Sequence, residues 1–430
     1  MPNNSALADE AIPRTNWAGN YRYATGRVFQ PASVAEVQDA VRSVDAVRAL
    51  GTRHAFNGIA DSPTAQISTL KLNDVALDPA GRTVTVGAGI RYGDLATILD
   101  AQGFALHNMA SLPHISVAGA CVTATHGSGI GNGNLATAVT AIEFVAGAGG
   151  VQTLARDADG DRFHGAVVSL GAFGVVTHLT LAVQPRFDMT QVVYQDLAFS
   201  ELEYNLAAIL GAGYSVSLFT DWQNGLASGL WIKRRVDHGG ASTPPVRFYN
   251  ANLATKKLHP FPDYPADPCT DQLNTVGPWF ERLPHFKLDF TPSCGEELQS
   301  EYFVPIDQGY AAIRAVETLR DRITPHLYTT EIRAVAADDL WMSMNYLRPS
   351  LALHFTWKPE PDAVMEILPQ IEAKLAPFQA RPHWAKVFTM NGAALEALYP
   401  RLQDFRALAQ QFDPEGRFRN AYFRDYIDLA

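Results

Sequence analysis

The sequence predicts an α+β protein in which a first part of mixed strands and helices is followed by a large antiparallel sheet flanked by helices. Three observations carry that expectation. The chain has 430 residues, about three times the length of a typical domain, enough to bury two coupled cores. Up to Pro185, stretches with the helical period and stretches with the strand period follow one another. Beyond Pro185 the texture changes to repeated strand-like runs with two long helical stripes among them.

Each element follows in order. Ser33-Val34-Ala35-Glu36 is a capping box, and Val34, Val37, Val41 and Val44 form one stripe of the helix that it opens. The run 47–50 reads as a buried strand that passes directly into the loop LGTRHAFNG. Alternation over 82–87 predicts a strand, and Leu95, Ile98 and Leu99 form the apolar stripe of a second helix. The runs 141–146 and 151–155, separated by Gly147-Ala148-Gly149-Gly150, predict an antiparallel hairpin. Gly171-Ala172-Phe173-Gly174 ends a helix before a strand over 175–183, and Pro185 marks a boundary. Strands are then expected at 214–220, 229–235, 285–290, 299–304, 327–335 and 351–357. Helices are expected at 308–322 and 361–375, and the Pro- and Asn-rich stretch 236–284 is expected to be irregular.

Composition removes several function classes. A formal charge of −10 argues against a nucleic-acid partner, because phosphate binding needs clustered Lys and Arg. The expected partner is small and neutral. The opening MPNNSALADEAIPRTNWAGN has neither the basic nor the apolar region of a secretory signal. No run of about 18 apolar residues occurs, so no membrane partner is expected and the chain reads as cytoplasmic. Cys121, Cys269 and Cys294 show no paired metal spacing and suit a reducing compartment; Cys121, between Ala120 and Val122, reads as a small packing residue. There is no H-E-x-x-H, no paired-cysteine metal pattern and no G-x-S-x-G elbow, so no metal site is expected.

Three glycine-rich segments dominate the first half: the loop from Gly51 to Gly58, VGAG from Val86 to Gly89, and ATHGSGIGNGN from Ala124 to Asn134. None matches G-x-G-x-x-G, since the third position is Tyr92, Asn132 or Asn134, and no Gly-Lys-Ser/Thr occurs. Such loops either let main-chain N–H groups converge on an anion or serve only as turns. The segment from Asn108 to Gly129, NMASLPHISVAGACVTATHGSG, favours the first use. It is long, weakly charged and rich in Ser, Thr, Gly and Ala, which let backbone approach a flat ligand and supply hydroxyls. In the second half, strand alternation puts Glu331 and Arg333 on one face, and His354 and Thr356 on one face opposite Leu353, Phe355 and Trp357. The plain alternative for each pair is a structural sheet face. Lys386, between Trp384 and Phe388, needs a partner for its charge.

Read together, LGTRHAFN, MASLPHISVAGACVTATHGSG, SLGAFGVVT (169–177), EIRAVAAD (331–338), HFTW (354–357), PHWAKVF (382–388) and DPEGRFRNAY (413–422) resemble the alditol oxidases, a group within the vanillyl-alcohol-oxidase-type FAD flavoproteins. The resemblance runs from Asn16 to the C-terminus. The first two motifs belong to the wider superfamily, which includes sugar-lactone oxidases, whereas Glu331, Arg333, Thr356 and Lys386 favour the alditol branch. It implies an FAD domain over 1–185, a substrate domain over 186–385, and a return to the FAD domain over 386–430.

The resemblance also implies roles. His54 would be joined covalently to the flavin 8α-methyl, which retains FAD and raises its potential. Gly51, Thr52, Arg53 and Ala55, then Ser111, Ser116 and Gly119, then Thr123, Ala124, Thr125 and His126 would contact FAD, with Val176 at the adenine end through its backbone. Some relatives carry Gly at the place of Arg53. On the substrate side Glu331 would accept from polyol hydroxyls, Arg333 and Lys386 would donate to the hydroxyl being oxidised, and Ser111 and Thr356 would complete the contacts, with His354 assisting as a base. The implied reaction takes the terminal primary alcohol of an alditol to the aldose, with hydride to flavin N5 and electrons to dioxygen, giving hydrogen peroxide. A sugar-lactone or sugar oxidase, a dehydrogenase of the same family, and a flavin- or sugar-binding protein without turnover are the alternatives.

Overall fold

The computed structural model describes residues 12–236, 240–290 and 296–428; Cys294 and the opening eleven residues lie outside them. The Ser33 cap forms: Ser33 Oγ accepts the Glu36 N–H, while the Glu36 carboxylate reaches one residue past the N-cap and accepts the Ala32 N–H at 2.9 Å. The helix Val34–Arg42 buries Val37, Ala40 and Val41. It packs on a small parallel sheet in the order Val28–Phe29, Ala65–Ser68, Val47–Leu50. A second sheet is antiparallel, in the order Val75–Asp78, Thr83–Gly87, Gly174–Ala182, Val139–Ala146, Val151–Ala155. Its last two strands are the expected hairpin, with Val145 opposite Val151.

Among the described residues the large sheet has ten strands, all antiparallel. Its centre runs in the order Asp188–Gln195, Gly229–Arg235, Ser215–Thr220, Leu327–Val335, Ser350–Trp357, Leu298–Pro305. The helices Phe199–Leu210 and Gly309–Glu317 pack on the face that carries Leu351, since Gly309 sits against Leu206 and Leu351. The period of two then sends His354 and Thr356 to the opposite face.

Three expectations are corrected. The stretch 285–290 is not a strand but a loop, buried at His285 and Phe286 and exposed at Phe290, pinned by Thr270 N–H to His285 O and Lys287 N–H to Pro268 O; His285 and Phe286 pack on other rings rather than in a ladder. The strand Asp188–Gln195 is additional, formed just after the Pro185 boundary. The helix expected over 308–322 divides into Gly309–Glu317 and Arg320–Ile323, where the Thr318 hydroxyl bonds Ala315 O and competes with the helical ladder. Cys121 and Cys269 are free and buried. Among the described residues no helix is long and apolar enough to cross a membrane.

After the large sheet the chain goes back to the first two. Helix Leu402–Phe412 packs near Asp161–Val167, Gly147 N–H donates to Phe412 O at 3.0 Å, and Val47 N–H donates to Arg417 O at 2.9 Å.

Candidate active site

The loop that follows strand Val47–Leu50 is fastened on both flanks. Trp17 N–H donates to Arg53 O at 2.7 Å, and the Trp17 ring stacks on His54 with centroids 5.1 Å apart and planes at 21°. On the other flank Phe56 N–H donates to Ala385 O at 2.8 Å, while the Asn57 side-chain amide donates to Trp384 O at 2.8 Å and Lys386 O at 2.9 Å. The loop with His54 and the turn with Lys386 are thus one rigid unit. Thr52 Oγ1 lies 3.0 Å from His54 Nδ1 and accepts the Ser116 N–H at 3.1 Å, whereas His54 Nε2 has no hydrogen-bond partner among the described residues. Burial, reinforced by His114 and Arg53, pushes the imidazole down to about 4, so it is neutral near pH 7. Gly51 and Gly119 both press on Ser116, where a Cβ would stand 2.6 and 2.8 Å from Oγ. That is the close approach which the small residues predicted.

One cavity joins these loops to the inner face of the large sheet. Gly51, Thr52, Arg53, His54, Ala55, Ser111, Ser116, Gly119, Thr123, Thr125, His126 and Val176 line one side; Arg333, His354 and Lys386 line the other. Ala124 is buried away from the lining with φ 52°, and Glu331 and Thr356 are buried on the sheet face without lining the cavity. Register explains the grouping on the sheet side: Glu331 lies opposite His354, and His354 lies opposite Glu301, so all three share a face.

Glu301 is the centre of the charged wall, and sequence reasoning missed it. Its carboxylate accepts from Lys386 Nζ at 2.8 Å, Arg333 Nη2 at 2.8 Å and His126 Nε2 at 3.0 Å. Burial alone would raise this carboxyl, but Lys386, His126 and Arg333 together hold it well below the usual range. Arg333 is also 3.6 Å from Glu331 through Nε and 3.4 Å from Ser111 Oγ through Nη1. Two cations and two carboxylates therefore close a buried neutral set. Burial lowers the pKa of Lys386, with Glu301 opposing, and it lowers His354 and His383 far enough to leave both neutral. His354 Nε2 has no hydrogen-bond partner among the described residues. Gln299 and His383, also lining the cavity, were not anticipated either. The missed signal is a carboxylate inside the apolar strand LQSEYFVP, the same kind of exception that singled out Lys386.

The arrangement suits a flat cofactor that needs an uncharged imidazole on one side and fixed cations on the other. Among the described residues no three His, Cys, Asp or Glu side chains are grouped to hold a metal ion.

Comparisons with known proteins agree with this geometry. A family described as FAD binding domain matches residues 25–155, and one described as D-arabinono-1,4-lactone oxidase matches residues 294–426. The chain is 47% identical to an alditol oxidase from Streptomyces sp. (strain IKD472) over 96% of this chain and 99% of that one. It is 26% identical to an L-gulono-1,4-lactone dehydrogenase from Mycobacterium tuberculosis over 95% of this chain and 98% of that one. Among solved structures, a cholesterol oxidase from B. sterolicum superposes with a TM-score of 0.77 at 14% identity over 99% of each chain, a likeness of fold. With identity of 47% across nearly its whole length, and with the FAD binding domain in its first part, the chain belongs to the alditol oxidase family of vanillyl-alcohol-oxidase-type FAD flavoproteins.

Proposed function

We propose that this chain oxidises the terminal primary hydroxyl of an alditol such as xylitol or sorbitol to the aldose, and that dioxygen takes the electrons to give hydrogen peroxide. The observation that carries the reading is the meeting, in one cavity, of neutral His54 with the Arg333–Glu301–Lys386 cluster. FAD, when bound, supplies the hydride acceptor and the route of electrons to oxygen. Residues 1–185 and 386–430 are the cofactor-holding unit in this reading, and 186–385 the substrate unit. Gly51, Thr52, Arg53, Ala55, Ser111, Ser116, Gly119, Thr123, Thr125, His126 and Val176 hold the cofactor. His54, an uncharged imidazole, is the nucleophile for its covalent attachment.

A linear polyol is uncharged, so hydrogen bonds select it. Glu331, which stands just behind the lining with Oε2 3.9 Å from His354 Nδ1, accepts from the polyol hydroxyls, and Thr356 on the same face completes the contacts with the cavity-lining Ser111. Arg333 and Lys386 donate to the hydroxyl under oxidation, and His354, through its unpartnered Nε2, accepts that hydroxyl's hydrogen. As the proton leaves, charge grows on the oxygen and the two cations stabilise it. At 4 Å and an effective dielectric near 20 one such contact contributes about 4 kcal/mol, roughly a thousandfold in rate if it acts only in the transition state. The match of residues 294–426 to the lactone oxidase family favours a sugar lactone as the second reading.

An oxygen-consumption panel of polyols and lactones tests both. Peroxide release with xylitol is expected, and turnover confined to lactones would discard the alditol reading. Covalent attachment is tested separately by acid precipitation: yellow fluorescence is expected to stay with the polypeptide and to leave it in His54→Ala.

A further inference from the structure

Behind the cavity wall the large sheet holds a buried lysine for which the chemistry above has no use. Lys233 lies on the strand Gly229–Arg235, and among the described residues no carboxylate is within ion-pair distance of it. Its ammonium instead donates to Leu283 O at 2.6 Å and to Pro284 O at 3.0 Å, and its third contact is His285 Nδ1 at 3.2 Å. Burial pushes Lys233 down to about 7, so the lysine alone does not set the direction of these bonds. The ionised Glu331 carboxylate does: it can only accept, so His285 carries its hydrogen on Nε2 and accepts at Nδ1 from Lys233. Nε2 is 2.7 Å from Glu331 Oε1. Burial and the neighbouring Lys233 push His285 down to about 4, in keeping with a neutral ring. The hydrogens therefore run in one direction, from Lys233 through His285 to Glu331, with every donor facing an acceptor.

The rest of the neighbourhood keeps this chain fixed. His285 is held between the rings of Phe219 and Trp231, with centroids at 5.4 and 5.3 Å. The N–H groups of His285 and Phe286 both donate to Ser111 O, at 3.1 and 3.3 Å, so the same loop braces the cavity-lining segment. Glu331 Oε1 is taken by His285 and by Arg333 at 3.6 Å, whereas Oε2 has only His354 Nδ1 at 3.9 Å. One carboxylate oxygen is clamped and the other is left to accept. Burying an ammonium without a carboxylate partner is costly, and apolar replacement of such groups is often tolerated or even stabilising, so a merely structural role explains Lys233 poorly.

We propose that Lys233 and His285 are positioning residues for polyol recognition: together they clamp the Glu331 carboxylate so that its free oxygen accepts a substrate hydroxyl, which sets substrate affinity and leaves the redox step alone. The inference rests on the reading of Glu331 as a polyol acceptor.

The test uses the FAD-loaded enzyme with xylitol, comparing KM with the limiting rate of flavin reduction in stopped flow. Lys233→Met is expected to raise KM about tenfold, the loss of one hydrogen bond, and to keep the limiting rate within about twofold. In a Glu331→Gln background the same change is expected to raise KM no further. His285→Gln, which interrupts the relay at its middle, is expected to reproduce the pattern and decides the matter if Lys233→Met does not fold. An unchanged KM in either folded variant, a fall in limiting rate with KM untouched, or effects that multiply with Glu331→Gln overturns the proposal. If Glu331→Gln itself leaves KM unchanged, the reading of Glu331 falls and this proposal with it, so the two failures are distinguishable.

Discussion

Lys386 sits between Trp384 and Phe388, and its charge is answered by Glu301 at 2.8 Å. Burial lowers the proton affinity of the lysine and Glu301 raises it. Glu301→Gln removes the raising influence, so Lys386 is expected to lose its proton at lower pH than in the native enzyme. The pH profile of flavin reduction should then move to lower pH, and a profile that stays in place would mean that the two groups do not act together. Lys386→Met removes the charge altogether and is expected to slow reduction by up to about a thousandfold, measured in single turnover. His54 yields the opposite kind of expectation. A free imidazole titrates near 6.5, but burial takes this one down to about 4. Its folded pKa is depressed, so the neutral nucleophile is present throughout the range above about 5. Reconstitution of apoprotein with FAD should show a rate of covalent attachment without an inflection near pH 6.5.

At the scale of strands and loops, alternation was enough to say which side chains share a face, and it placed Glu331 with Arg333 and His354 with Thr356. It says nothing about neighbours across strands. Glu301 stands beside His354 because Leu298–Pro305 pairs antiparallel with Ser350–Trp357 in one particular register, a long-range fact that local period does not contain. The same local period misread 285–290, a loop in which His285 and Phe286 pack on other rings. Glycine-rich loops were legible as places of close approach, and Gly174 gives that a measurable form. It opens the strand Gly174–Ala182 at φ +157°, and a Cβ there would lie 2.2 Å from Val145 O of the adjacent strand. The obstacle is backbone in a paired strand, so it has no rotamer through which to escape. Gly174→Ala is expected to cost about 2–4 kcal/mol and to lower both Tm and FAD loading, since the residue also lines the cavity. A thermal melt unchanged from the native protein would show that the strand yields.

Over the whole molecule, the least legible feature was the return of the C-terminal segment, which only the family resemblance implied. Helix Leu402–Phe412 has an apolar face that would suit any core, and the segment that follows it is tied down by polar contacts to distant parts of the chain. Arg48 is the chief of these. Its five N–H groups make five hydrogen bonds to four carbonyls: Ile59 twice, Leu170, Gly171 and Phe418. Asn420 adds bonds to Gly58 O, Ile59 O and Asp61 O. One buried guanidinium therefore fastens two cavity-lining loops to the C-terminal segment. Burial pushes it down to about 10, which still leaves it charged near neutrality. Arg48→Leu strands the carbonyls of Leu170, Gly171 and Phe418 in the interior, while Ile59 O keeps Asn420, and is expected to cost about 3 kcal/mol or more in urea denaturation, with loss of bound FAD. Arg48→Lys keeps the charge but not the fork, because three ammonium hydrogens on a single nitrogen cannot reach carbonyls arranged around a plane. Its stability should fall between the other two. If lysine served as well as arginine, charge alone would hold the segment and the fork geometry would count for nothing.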